Sequence, residues 1–159
     1  MDIVDELLHR AELQPNFAVP GPPKLGVAIV TCMDTRIDPA RMFSLEPGDA
    51  HVLRNAGGVV TDDVIRSLLL SQRFLGTRAV MLIHHTRCGV LGLSDDEVKA
   101  EIRHEVGFRP AFALEGFADL DVAVRESMAR IRHSPFLPHR NAVRGFVLNV
   151  DDGRLREVL

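Results

Sequence analysis

Two short apolar runs, V-A-I-V at 27–30 and A-V-M-L-I at 79–83, constrain this chain more than any other feature. Neither is interrupted by a polar residue, so each reads as a strand covered on both faces, the pattern of a parallel sheet. Between them, Thr61-Asp62-Asp63 caps a helix to about Leu75, with Val64, Ile65, Leu68, Leu69 and Phe74 largely on one side and Gly76 behind it. Parallel β-α-β topology can then set the C-terminal ends of the two strands side by side. That is where open α/β sheets place their chemistry. The first run ends in Thr31-Cys32, with Asp34 and Arg36 following at alternate positions; the second ends in H-H-T-R-C-G, residues 84–89. If the chain stays extended past Cys32, the thiol, the carboxylate and the guanidinium can point into one cavity.

The remaining segments agree with this reading. Ile3, Val4, Leu7, Leu8 and Ala11 form one apolar stripe of an amphipathic helix with Asp2 as its N-cap. Gln14 to Lys24 holds prolines at 15, 20, 22 and 23, the composition of an extended spacer. Asp38-Pro39 opens a short helix, Glu46 to Asp49 is a turn, and Ala50 to Leu53 is a short strand. Ser94 to Glu97 has capping-box spacing before a helix to about Val106. Phe108 to Gly116 is irregular, and a further helix runs from about Ala118 to Arg132. Val143 to Val150 is a strand, and Asp152-Gly153 turns into a last strand, Leu155 to Leu159. The expectation is a single α/β domain: a mostly parallel sheet with an antiparallel edge strand, flanked by helices. Residues 1–24 are expected to form a helical, Pro-rich N-terminal arm, and residues 25–159 the α/β domain that carries the chemistry.

Composition removes several classes of function. At 46% hydrophobic and 26% charged, the 159-residue chain can bury an ordinary core. A net charge of −3 gives no basic footprint for nucleic acid or an anionic membrane. No apolar run approaches the roughly 20 residues of a membrane helix, and the N-terminus is acidic where a signal peptide is basic. Two cysteines without a C-x-x-C do not make a disulfide framework. A cytoplasmic, reducing setting is expected.

Cys32, His85 and Cys88 make a soft S/N/S set suited to zinc, and three protein ligands leave a fourth position open, as catalytic sites do. Taken singly, each feature has a plainer reading: buried cysteines are common in cores, H-x-x-C alone is weak, and Asp34 with Arg36 can be a loop ion pair. The combination favours a site, because both cysteines follow apolar runs and the charged pair adjoins one of them. Zinc lowers the pKa of bound water from 15.7 to about 7. Two thiolates formally cancel the zinc charge and acidify that water less than three histidines do, so further help is needed. Asp34 can accept a hydrogen bond from the water, and Arg36 can hold that carboxylate in a bidentate grip and keep it ionised. Asp34 can also reach the metal itself. An apolar wall suits a nonpolar substrate, with Val59, Val60 and Val90 as lining residues. Gly57 and Gly58 let the backbone approach it, or else serve a turn.

C-M-D-T-R at 32–36 followed by H-H-T-R-C-G at 84–89 resembles the C-x-D-x-R and H-x-x-C signature of the β-class carbonic anhydrases, particularly the short bacterial members. R-N-A-G-G at 54–58, T-D-D-V-I-R-S-L at 61–68 and R-G-F-V-L-N-V at 144–150 resemble the family as well. The resemblance covers nearly the whole chain. It implies zinc on Cys32, His85 and Cys88, with Asp34 and Arg36 as the catalytic dyad. It implies a zinc lyase interconverting CO2 and bicarbonate, built as a homodimer or higher homo-oligomer, with no nucleic acid and no membrane as partner. Arg87 departs from the pattern, since short members often carry Asp there. Three alternatives stay open: hydrolysis of carbonyl sulfide or carbon disulfide at the same site, a non-catalytic zinc module, and a thiol redox protein.

Overall fold

Val27–Cys32 (β1) is covered on both faces from its second residue onward, as an unbroken apolar run requires. It lies between His51–Asn55 (β2) and Ala79–His85 (β3), parallel to both. Val143–Leu148 (β4) adds a parallel strand beyond β3, and Leu155–Val158 (β5) closes that edge antiparallel. The order across the sheet is β2-β1-β3-β4-β5, so β1 and β3 are central neighbours. This computed structural model describes residues 2–11 and 18–159. The expected spacer falls partly on 12–17, including Pro15, and that part lies outside the described residues.

The helices are Ile3–Ala11 (α1), Pro39–Met42 (α2), Asp62–Leu75 (α3), Asp95–Val106 (α4) and Leu120–His133 (α5). Their starts follow the side-chain chemistry of the caps. Asp38 accepts from the Arg41 amide, Thr61 from Val64, Ser94 from Glu97 and Asp119 from Val122, each satisfying a donor that a helix start leaves orphaned. Asp2 accepts from the amides of Val4 and Asp5 at 2.8 and 2.9 Å. No residue of α1 is buried. Its apolar stripe of Ile3, Val4, Leu7 and Leu8 is exposed, Ile3 at 67%.

Side chains alternate across the sheet, and each face has its own core. Ala28, Val30, Val80, Leu82, Val143 and Val147 pack with Val64 and Leu68 of α3 and with Val124, Met128 and Ile131 of α5. On the other face, Ile29, Ile83 and Leu148 pack with Ile37, Cys32 and Cys88. Each fully buried aliphatic side chain contributes about 1.5–3 kcal/mol, so the strand ends that carry the cysteines are anchored by both layers. β3 runs two residues past the expected end at Ile83. Both histidines are therefore strand residues, and His84 and His85 face opposite sides of the sheet.

Candidate metal centre

β1 delivers Cys32 as its last residue and β3 delivers His85 as its last. A tight turn after β3 then returns Cys88 to the same place. One ligand atom from each of the three lies within 4.8 Å of the others, and all three residues are buried. The two sulfurs are 4.0 Å apart and both thiols are free. His85 Nδ1 lies 2.7 Å from the Thr86 carbonyl oxygen. A carbonyl only accepts, so Nδ1 carries the proton and Nε2 presents its lone pair. That Nε2 is buried and has no hydrogen-bond partner among the described residues. Thr86 is fixed in turn, since its amide donates to Leu148 O at 2.9 Å and its hydroxyl accepts from the Val150 amide at 3.0 Å.

These donors fit a soft divalent cation. Burial pushes the Cys88 thiol above its ordinary pKa, with the Cys32 sulfur adding to the shift. Two buried sulfurs so close together become thiolates only beside a positive charge. A cation among them also gives the orphaned Nε2 a partner. The set leaves one tetrahedral position to something other than Cys32, His85 and Cys88.

Asp34 stands beside this trio in the fork of Arg36. Nε of Arg36 donates to Oδ1 at 2.9 Å and Nη2 donates to Oδ2 at 2.7 Å, while the Arg36 backbone amide donates to Oδ1 at 2.9 Å. Arg36, by these hydrogen bonds, holds the Asp34 carboxyl well below the usual carboxylate range. Asp34 Oδ2 is also 3.8 Å from His85 Nε2. The path that brings this about differs from expectation. The chain does not stay extended beyond Cys32 but turns, with the Ile37 amide donating to Asp34 O at 3.1 Å. The turn folds Arg36 back over Asp34, which an extended strand would hold at a distance. Arg54 at the end of β2 clamps this turn, donating to Cys32 O at 3.0 Å and to Asp34 O at 2.7 Å. Arg36 Nη2 donates in addition to Arg87 O at 2.9 Å.

Behind Cys32 lies the turn Ala56–Gly58, whose Gly57 amide donates to Cys32 Sγ at 3.3 Å. A side chain at Gly57 would meet Phe117, Val59 and Val90. Gly57, Val59, Val90 and Phe117 thus form an apolar wall beside the trio. Gly58 serves a different end. Its φ is +66° and a Cβ there would lie 2.9 Å from Cys32 N, so only glycine lets the turn press against β1. Val60 does not belong to the wall; it is buried in the core under α5, with its amide donating to Ser127 Oγ at 3.3 Å. Sequence reasoning missed Phe117, Arg54 and His84. His84 is buried, stacks on Phe117 at 5.5 Å and has its pKa pushed down to about 4 by that burial.

The carbonic anhydrase family profile matches residues 27–115, which contain Cys32, Asp34, Arg36, His85 and Cys88. The chain is 51% identical over 156 residues to the β-carbonic anhydrase 1 of Mycobacterium tuberculosis, covering 97% of this chain and 96% of that one. It is 32% identical to a carbon disulfide hydrolase of an Acidianus species, covering 98% and 89%. A crystal structure of carbonic anhydrase from Streptococcus mutans superposes with a TM-score of 0.91 at 38% identity, covering 100% of this chain and 99% of that one. With half its residues shared with one such enzyme over almost its full length, the chain belongs to the β-class carbonic anhydrase family.

Proposed function

We propose that this chain is a zinc-dependent carbonic anhydrase, catalysing the reversible hydration of CO2 to bicarbonate and a proton. The observation that carries the reading is the meeting of Cys32, His85 and Cys88 beside a carboxylate already gripped by Arg36. When bound, zinc supplies a Lewis acid that makes water a nucleophile near neutral pH. Cys32, His85 and Cys88 would hold it, with Asp34 as the side chain able to reach its remaining position.

The roles of the other residues follow from their bonds. Asp34 Oδ1 is occupied by two donors from Arg36, whereas Oδ2 takes one and faces the trio. Oδ2 therefore has room to accept a hydrogen bond from the attacking water. A carboxylate held so far below its ordinary pKa is a poor base. Asp34 accordingly orients the water rather than taking its proton, aiming a lone pair at the substrate carbon. Arg36 fixes the carboxylate plane through both oxygens. Val59, Val90 and Phe117 offer CO2 an apolar surface with no competing hydrogen bonds, and Gly57 leaves space against them.

We also infer that the enzyme works in a reducing cytoplasm, supported by its two free ligand thiols, and as a homodimer or higher homo-oligomer, supported by the exposed stripe of α1. Two measurements test the central reading. Purified protein should carry about one zinc per chain, and replacing Cys32, His85 or Cys88 by alanine should remove zinc and CO2 hydration together. A replacement that keeps both overturns that ligand assignment. Parallel assays with CO2, carbonyl sulfide and carbon disulfide decide the substrate, and turnover of the sulfur gases without CO2 hydration overturns the carbonic anhydrase reading.

A further inference from the structure

His84 is a buried titratable side chain that the chemistry above does not use. Its Nε2 lies 3.1 Å from the Gly58 carbonyl oxygen, which can only accept, so Nε2 bears the proton. Nδ1 is then a bare lone pair, buried and without a partner among the described residues. An unpartnered buried polar atom is destabilising, so a residue needed only to fill space against Phe117 would be better as phenylalanine. What histidine adds is the donor, and that donor ends on the turn behind Cys32.

The turn is built from parts that need an external hold. Gly57 and Gly58 both have positive φ, +87° and +66°, and successive glycines restrict the backbone least. Asn55 secures one side, its Nδ2 donating to Val59 O at 2.8 Å. His84 secures the other through Gly58 O. Between these two anchors the Gly57 amide donates to Cys32 Sγ.

We propose that His84 is a positioning residue for Cys32: by holding the Gly58 carbonyl it keeps the Gly57 amide pointed at the Cys32 sulfur, and so sets how strongly that sulfur donates to the metal. An N–H bond withdraws electron density from a thiolate, and groups that orient or polarise a ligand tune the bound ion as well as the affinity for it. The inference rests on Cys32 being a ligand, as proposed above.

Cobalt(II) in place of zinc makes the sulfur donation visible as a thiolate-to-metal charge-transfer absorption. His84→Phe keeps the ring against Phe117 and removes the donor; the band moves to lower energy, and zinc retention against a chelator falls by about 10–100-fold. His84→Gln, whose amide again offers an N–H, returns both toward the parent protein. Phe117→Leu removes the stack alone and leaves the band in place. If His84→Phe does not fold, His84→Asn serves, because its shorter amide leaves Gly58 O out of reach and the same shift is expected. A donor-less variant with the parent's band and zinc affinity overturns the inference. The absence of any thiolate band in the unmutated protein overturns the ligand reading instead.

Discussion

Arg36 is placed so that removing it does more than delete a charge. Without its fork, Asp34 is free to turn, and Oδ2 already lies 3.8 Å from His85 Nε2. Arg36→Ala should therefore keep zinc but lose hydration, because the freed carboxylate takes the position that water needs. Arg36→Lys should recover little, since an ammonium cannot bond both oxygens in one plane. Asp34→Asn should also keep zinc while kcat falls by about 10²-fold or more, the scale seen when an oriented hydrogen-bonding group is lost. Stopped-flow hydration with metal content measured on the same samples decides these cases; a near-normal kcat in Arg36→Ala sinks the argument. Because Arg36 keeps Asp34 ionised throughout the working range, Asp34 adds no acid limb to the pH profile. A rise in rate toward mildly alkaline pH is expected, and it should belong to the water. Arg87 enters through its backbone. Its φ of +54° turns the carbonyl to Arg36, whereas its ion pair with Asp151 at 3.1 Å is exposed on both sides and contributes about 0–1 kcal/mol. Arg87→Asn, which tolerates that backbone state, should leave kcat near the parent value.

Among the elements, the start of α4 does work that its own helix does not require. Asp95 accepts from the amides of Leu114, Gly116 and Glu115 at 2.7, 2.9 and 3.3 Å. These bonds, the Gly116 amide foremost, hold its carboxyl below the ordinary range. A group lowered in this way stabilises the fold above its unfolded pKa of about 3.9 and loses that contribution as pH falls through the folded value. Asp95→Asn should speed hydrogen exchange of amides 114–116 at neutral pH and leave β1 and β3 unchanged. The parent protein should approach the same behaviour only below about pH 4. Equal exchange in both proteins would refute the assignment. This carboxylate also shows why part of the molecule was not legible in the sequence. Asp95 reads locally as a first-turn acid of α4, and nothing nearby announces a target about twenty residues on. The readable parts were those with local causes: the apolar runs of β1 and β3, the caps at Asp38, Thr61 and Ser94, and the meeting of Cys32, His85 and Cys88 at the strand ends. Phe117 and Arg54 reach the site only through tertiary packing. The turn after Cys32, in turn, depends on Arg54 clamping two carbonyls across a neighbouring strand.

For the whole molecule, the open question is what covers α1. Ile3, Val4, Leu7 and Leu8 lie on one exposed stripe, and such a stripe is the signature of a helix that packs on something. We expect it to cross onto a second copy of the chain. Deleting residues 1–20 should lower the mass in solution and the thermal midpoint together. An oligomer of unchanged mass and stability would show that the helix belongs to its own subunit. The pairing of β1 with β3 has a consequence at this scale too. Thr31 lies opposite Ile83, which brings the ends of β1 and β3 level, and a slip of one residue would carry Cys32 about 3.3 Å along the sheet, away from His85 and Cys88. A chain zipped one step out of step has nowhere to hold an ion. A metal held by Cys32, His85 and Cys88 would thus proofread the alignment of two central strands, and the metal content of a refolded sample would count the molecules that aligned correctly.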